Sequence, residues 1–175
     1  YNLGIVFKKL GELHKAVDCF QKVIQIQPDQ LDDVHVNLGL TFKELGKLQK
    51  AKSCYEEAIQ INPNYAEAHN NLGGLFHELK DTQKAIGSFE KAIQINPNYA
   101  DAYCNLAILY MDINRYEEAL QYCDQLLDFA PDMIRALSTK SEILSKNAPS
   151  WHAQMIDDND RNNFYLSALK SVIKT

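Results

Sequence analysis

Two short motifs contain the residue types that could carry chemistry in this sequence. His77 and Glu78 begin a His-Glu-x-x-His zinc pattern, but Asp81 stands where the second histidine is required. Asp158 begins a stretch with the acidic spacing of a calcium loop, in which Asn163 replaces the turn glycine and the final carboxylate is absent. Because each motif lacks a ligand that its metal requires, we predict no metal site. The spacing of Ser, His and Asp residues indicates no catalytic triad, so no catalytic residue is predicted.

The four cysteines are isolated from one another in the sequence. None belongs to a Cys-x-x-Cys pair, and none has a histidine nearby at metal-binding spacing. We interpret them as buried thiols on helices in a reducing compartment, which predicts a cytoplasmic protein; disulfides or a zinc site are the alternatives. The four are Cys19, Cys54, Cys104 and Cys123.

Length and composition limit the class of partner. The chain has 175 residues, of which 46% are hydrophobic and 23% charged, so it can bury a core and wholesale disorder is excluded. Its 18 basic and 23 acidic residues give a net charge of −5 without the basic cluster that nucleic acid requires. The longest apolar run, from Leu106 to Met111, is far shorter than the ~20 residues that span a bilayer. We predict a protein or peptide partner, with no nucleic acid and no membrane.

Regularly spaced prolines divide the chain into repeated segments, and these segments must position any functional side chain. Four of the five prolines follow one another at intervals of 35, 34 and 34 residues. The segments between them repeat one pattern of small, aromatic and aliphatic residues. In the second copy this pattern consists of Leu38, Gly39, Phe42, Ala51 and Tyr55. The regularly spaced prolines are Pro28, Pro63, Pro97 and Pro131.

This pattern resembles the tetratricopeptide repeat, and the resemblance covers residues 1 to about 131. It implies an all-α fold, a right-handed solenoid of helix–turn–helix repeats in which stacked copies share one core. The small residues allow the two helices of a repeat to touch closely, and each proline ends the second helix. A capping helix follows over 132–147, and we expect further repeats before Tyr1. The predicted repeats are 1–30, truncated at its start, 32–65, 66–99 and 100–131.

The resemblance also implies that the first helices of the repeats line a concave groove for a peptide or protein partner. Four asparagines occupy equivalent positions there, and a carboxamide can both donate to and accept from a peptide backbone. This ladder resembles the repeats of O-linked N-acetylglucosamine transferase, whose groove holds substrates in this way. Pairing between repeats, or a contribution to solubility, is the alternative. The predicted groove residues are Asn2, Asn37, Asn71 and Asn105, with Lys43 and His77 beside them.

Acidic residues outnumber basic ones at the neighbouring groove positions. This excess favours a basic or neutral partner segment, and it argues against a clamp of lysines and arginines for carboxylates. Solvated surface charge is the alternative. The acidic positions are Asp33, Glu44, Glu67, Glu78, Asp101 and Asp112.

The segment 148–175 does not continue the repeat. The spacing of His152, Met155, Arg161 and Tyr165 resembles the start of the methyltransferase domain of protein arginine methyltransferases, in the branch that carries tetratricopeptide repeats. The resemblance implies a linker and a helix that folds over S-adenosylmethionine in the parent protein. Arg161 would meet the cofactor carboxylate, and His152 and Met155 would line the pocket. A surface ion pair of Arg161 with a nearby aspartate is the alternative.

The same segment departs from the methyltransferase pattern and lacks what catalysis needs. Residues 145–150 occupy the place of a Tyr-Phe-containing stretch that many members use in the active site, and no glycine after Gly87 could cradle the cofactor. We therefore expect this chain to be no enzyme and to hold no cofactor itself. We expect it to recruit substrate for a methyltransferase domain after Thr175. A non-enzymatic adaptor, or the array of a glycosyltransferase, is the alternative.

Overall fold

The computed structural model describes residues 1–26 and 31–147, and every regular element within these ranges is an α-helix. The predicted all-α repeat solenoid is thereby confirmed. None of the described helices is both long enough and apolar enough to cross a bilayer. The helices are α1 (Asn2–Lys9), α2 (Leu13–Ile26), α3 (Asp32–Glu44), α4 (Leu48–Ile61), α5 (Ala66–Glu78), α6 (Thr82–Ile95), α7 (Ala100–Asp112), α8 (Tyr116–Phe129) and α9 (Ile134–Asn147).

Successive helices form pairs, and the pairs stack in chain order. The helices α1 and α2, α3 and α4, α5 and α6, and α7 and α8 each pack against each other, and every second helix also contacts the first helix of the next pair. The last helix, α9, packs against both α7 and α8. The core therefore continues from pair to pair, because one pair cannot bury its apolar face alone.

The turn inside each pair stops the first helix with a left-handed residue. In the second pair, the Gly46 amide donates to the Lys43 carbonyl at 2.9 Å, and the Lys47 amide donates to the Phe42 carbonyl at 2.8 Å. These bonds define a Schellman motif, which satisfies carbonyls that the helix end would leave free. The same bonds recur in the other pairs. The left-handed residues are Gly11, Gly46, Lys80 and Asn114.

Two of the turns between pairs are built on an Asn-Pro sequence. The helices α4 and α6 end at Ile61 and Ile95, immediately before an Asn-Pro-Asn sequence. The side-chain oxygen of Asn62 accepts from the amide of Asn64 at 3.1 Å, and Asn96 repeats this bond one pair later. The proline then prevents the second helix from continuing, so the next pair begins.

Two glycines on the first helices allow close helix contact. A Cβ atom on Gly39 would lie 2.5 Å from the Tyr55 ring, and one on Gly73 would lie 2.8 Å from the Phe89 ring. Both rings are almost completely buried. The glycines therefore let each ring pack directly on the backbone of the facing helix, as the repeat pattern predicted. Gly74 differs from its neighbour, because a Cβ there would meet no atom within 4 Å.

Candidate functional site

The first helices of successive pairs form one continuous surface. The helices α3, α5 and α7 lie side by side, and α9 continues the row. A cavity of about 320 Å³ opens on this row. We call the cavity and the helix faces around it the groove. The cavity is lined by Leu40, Lys43, Tyr55, Asn70, Asn71, Gly74, His77, Phe89, Asn105, Ile108 and Arg135.

Two of the predicted ladder asparagines are engaged within the protein. The Asn37 amide donates to the Asp33 carbonyl at 2.9 Å and to the Tyr1 hydroxyl at 3.0 Å. The Asn105 amide donates to Asn70 Oδ1 at 2.9 Å. The Asn37–Asp33 bond lies within α3, whereas the bonds to Tyr1 and Asn70 connect successive repeats, which is the inter-repeat pairing that the sequence left open.

The other two ladder asparagines differ from this pair and from each other. Asn71 lines the cavity, and its Nδ2 is buried without a hydrogen-bond partner. Asn2 is exposed on α1 and does not line the cavity. The four equivalent positions are thus chemically unequal, since only Asn71 combines a place in the cavity with an unpaired donor.

Contacts between basic and acidic side chains bridge successive first helices along the groove. Lys43 Nζ lies 3.4 Å from Glu78 Oε2, and His77 Nε2 lies 3.0 Å from Asp112 Oδ2. Lys8 makes the corresponding pair one repeat earlier, with Glu44 at 3.7 Å. The two predicted basic groove residues, Lys43 and His77, therefore line the cavity with a carboxylate from the next helix beside each of them.

Arg135 is a groove residue that the repeat pattern did not predict. Its guanidinium donates to Asn105 Oδ1 at 2.8 Å and to Asp101 Oδ1 at 3.3 Å, so it joins α9 to α7 at one end of the cavity. Arg135 stands 34 residues after Asp101, where the earlier copies have acidic residues. This change from an acidic to a basic residue at an equivalent position is the sequence feature that could have indicated a role for Arg135.

A tyrosine hydroxyl engages two of the acidic groove positions. The Tyr65 hydroxyl donates to Asp33 Oδ1 at 2.6 Å, and Glu67 Oε2 lies 3.2 Å from the same hydroxyl as a second, longer acceptor. Burial, followed by these two carboxylates, raises the pKa of Tyr65 well above its ordinary value. Together with the ion pairs above, these bonds mean that the acidic positions are largely engaged with neighbouring helices.

The cysteines are free thiols, and three of the four are buried. Burial is the largest cause that raises the pKa of Cys54 to about 12 and that of Cys123 to about 11. Such thiols remain protonated and poorly nucleophilic at neutral pH. Over residues 1–26 and 31–147, no three His, Cys, Asp or Glu side chains are grouped so that they could hold a metal ion. The predicted cofactor residues His152, Met155 and Arg161 lie outside the described residues.

Comparison with known families identifies the repeat. Family models described as tetratricopeptide repeats match residues 1–30, 39–80 and 76–143. The chain carries tetratricopeptide repeats. The matched ranges reach from α1 into α9, apart from residues 31–38, and they include every residue that lines the cavity. No curated protein matches the chain.

Solved structures share the tetratricopeptide fold. The crystal structure of MamA is 21% identical, with a TM-score of 0.77, and the match covers 100% of this chain and 99% of that one. YrrB, described as a TPR protein with an unusual peptide-binding site, is 25% identical with a TM-score of 0.68, over 79% of this chain and 71% of its own. The first TPR of Spaghetti (RPAP3), bound to the HSP90 peptide SRMEEVD, is 21% identical with a TM-score of 0.65, over 69% of this chain and 98% of its own.

Proposed function

We propose that this chain is a non-enzymatic scaffold that binds an extended segment of a protein partner in the groove. The observation that carries the proposal is the cavity itself, to which three successive helix pairs and the last helix, α9, contribute polar side chains. The peptide-binding site of YrrB and the peptide-bound structure of Spaghetti support it, because both arrays have this fold.

The lining of the groove suits a peptide backbone. An extended segment presents unpaired amides and carbonyls, which need partners when they leave water. Asn71 supplies a carboxamide whose donor is unpaired, and a rotation about its side-chain torsion would turn that donor toward a peptide carbonyl. An unpaired buried donor costs about 1–3 kcal/mol, so a ligand that satisfies it binds more tightly by part of that amount.

The charges of the groove favour a neutral or basic partner. Lys43 and His77 already lie beside carboxylates, so they offer little unbalanced positive charge to an acidic peptide. The chain as a whole carries a net charge of −5. An acidic segment would therefore meet weak repulsion, whereas a basic segment would be attracted, more strongly at low salt.

Selection from a random peptide library tests this proposal. Phage-displayed dodecapeptides would be selected on the immobilised chain, and enriched sequences would be synthesised with a fluorescent label. We expect saturable binding with a one-to-one stoichiometry, and mutual competition among the peptides, because all of them would occupy the same groove. The expected sequences are neutral or basic overall.

Two results would refute the scaffold proposal. One is a selection that enriches no sequence above the level obtained on an unrelated helical protein. The other is binding that persists after the chain is unfolded in urea, since attachment to an unfolded chain needs no groove.

We also propose that the parent protein uses the array to recruit substrate for S-adenosylmethionine-dependent arginine methylation. This proposal rests on the sequence of residues 151–175 alone. A glycine-rich strand–turn–helix must then follow Thr175 in the reading frame. In that parent, Arg161→Ala is expected to weaken S-adenosylmethionine binding in calorimetry without changing peptide affinity. Unchanged cofactor affinity would leave the adaptor function as the better interpretation.

The cysteines support a cytoplasmic location. Cys54 and Cys123 are buried free thiols that form no disulfide. Free thiols of this kind are typical of proteins in a reducing compartment, such as the cytoplasm.

A further inference from the structure

The Tyr55 hydroxyl is a polar group that the repeat fold does not need. Tyr55 is 0% exposed, its hydroxyl has no hydrogen-bond partner, and its side chain lines the cavity. The equivalent positions of the first and third repeats hold Phe20 and Phe89, which are buried in the same core. Since phenylalanine packs there equally well, packing does not account for the oxygen atom of Tyr55.

Asn71 places a second unpaired donor at the same cavity. Its Nδ2 is buried without a partner, whereas the neighbouring Asn70 accepts a hydrogen bond from Asn105. Two buried polar groups without partners, both lining one cavity, are unusual in a folded protein, because most such groups are paired. One ligand oxygen that accepts a hydrogen bond from the Tyr55 hydroxyl and another from Asn71 Nδ2 would give both donors a partner.

The charges around the cavity favour a neutral carbonyl oxygen over a carboxylate oxygen on this ligand. Each basic side chain that lines the cavity already lies beside a carboxylate: Lys43 beside Glu78, His77 beside Asp112 and Arg135 beside Asp101. The negative charges of Glu44, Glu67 and Glu78 also act on Tyr55, because they contribute to raising its pKa after the larger effect of burial. A carboxylate would be repelled here, whereas a neutral carbonyl oxygen would not.

We propose that Tyr55 and Asn71 form a subsite for the side-chain carbonyl of an asparagine or glutamine in a bound peptide. The inference rests on the proposed function and adds a sequence preference to it. The hydroxyl of Tyr55 and the amide of Asn71 both donate to the carboxamide oxygen. The groove therefore reads one neutral polar side chain in addition to the peptide backbone.

Peptide variants measured against Tyr55→Phe test the subsite. A peptide selected on the native chain would be synthesised with Asn or Gln, the matching Asp or Glu, or Ala at each position in turn. On the native chain we expect one position where Asn or Gln binds about 5- to 10-fold more tightly than Ala and where the acid binds no better than Ala. On Tyr55→Phe this preference should fall to about twofold or less, and Asn71→Ala should reduce it likewise.

Folding and binding are separated by the choice of variants. Tyr55→Phe reproduces the residue of two sister repeats, so its urea denaturation midpoint should equal or exceed that of the native chain. Asn62→Ala serves as the control, because Asn62 does not line the cavity and is bonded internally to Asp32 and Asn64, so its loss should lower stability while leaving the Asn or Gln preference intact.

Distinct outcomes overturn the subsite and the proposed function. If no peptide binds the native chain, both fail. If peptides bind but show no position that prefers Asn or Gln, or if that preference is unchanged in Tyr55→Phe, the subsite alone is wrong. A preference for Asp or Glu over Asn or Gln at that position would also overturn it.

Discussion

Replacing Phe89 with alanine is expected to lower the free energy of unfolding by about 3–5 kcal/mol. The ring is 1% exposed and packs on the backbone of α5 at Gly73, so its removal leaves a cavity between two helices that the neighbouring repeats hold in place. Urea denaturation followed by helical circular dichroism measures the change. Leu79→Ala is the control: that side chain is 39% exposed, and we expect a loss of about 1 kcal/mol or less.

A second substitution shows whether the contact with Gly73 causes this cost. Gly73→Ala alone is expected to destabilise the chain by about 1–2 kcal/mol, since its Cβ would lie 2.8 Å from the Phe89 ring. In the Phe89→Ala background the ring is absent, so the same methyl group should become neutral or stabilising, as helix propensity favours alanine over glycine. Equal costs of Gly73→Ala in both backgrounds would contradict the packing described here.

The close contact of glycine and ring could be predicted from the sequence because it recurs. Gly4, Gly39 and Gly73 each precede a buried ring by 16 residues, and each would place a Cβ within 3.0 Å of that ring. In the fourth repeat, Ala107 replaces the glycine and Cys123 replaces the ring, and both residues are buried. Ala107 is larger than glycine and Cys123 is smaller than an aromatic ring, so the two helices can still pack closely.

The polar contacts of the groove could not be predicted in the same way. Repeat spacing places Asn37, Asn71 and Asn105 at equivalent positions, but their partners depend on residues that do not repeat. Tyr1 accepts from Asn37, and Arg135 donates to Asn105, whereas no such partner reaches Asn71. Hydrogen bonds between long or flexible side chains depend on rotamers, which hydrophobic periodicity does not specify.

The sequence also could not predict the role of the Tyr55 hydroxyl. The sequence pattern requires a large residue at this position, and tyrosine and phenylalanine satisfy that requirement equally. Only the structure shows that the hydroxyl has no partner and that the side chain lines the cavity. The repeat therefore predicts the packing of the ring, while the chemistry of its oxygen depends on the surrounding side chains.

Filling the groove with a bulky side chain at Gly74 is expected to weaken peptide binding at least tenfold. Gly74 lines the cavity, and a Cβ atom there meets nothing within 4 Å, so the indole of Gly74→Trp can enter the cavity without disturbing the core. A glycine in the middle of a helix costs about 0.5–1 kcal/mol relative to alanine, so the variant should fold at least as well as the native chain.

Gly87 provides a matched control for this substitution. It lies in the interior of α6, is exposed, and also has no atom within 4 Å of an added Cβ. It does not line the cavity, so Gly87→Trp adds the same indole to a helix while leaving the groove open.

The affinity of one selected peptide for these two variants, measured by fluorescence anisotropy, tests most directly whether the groove is the binding site. The predicted result is native affinity for Gly87→Trp and at least tenfold weaker binding for Gly74→Trp. Native affinity for Gly74→Trp would contradict it, and so would an equal loss in both variants.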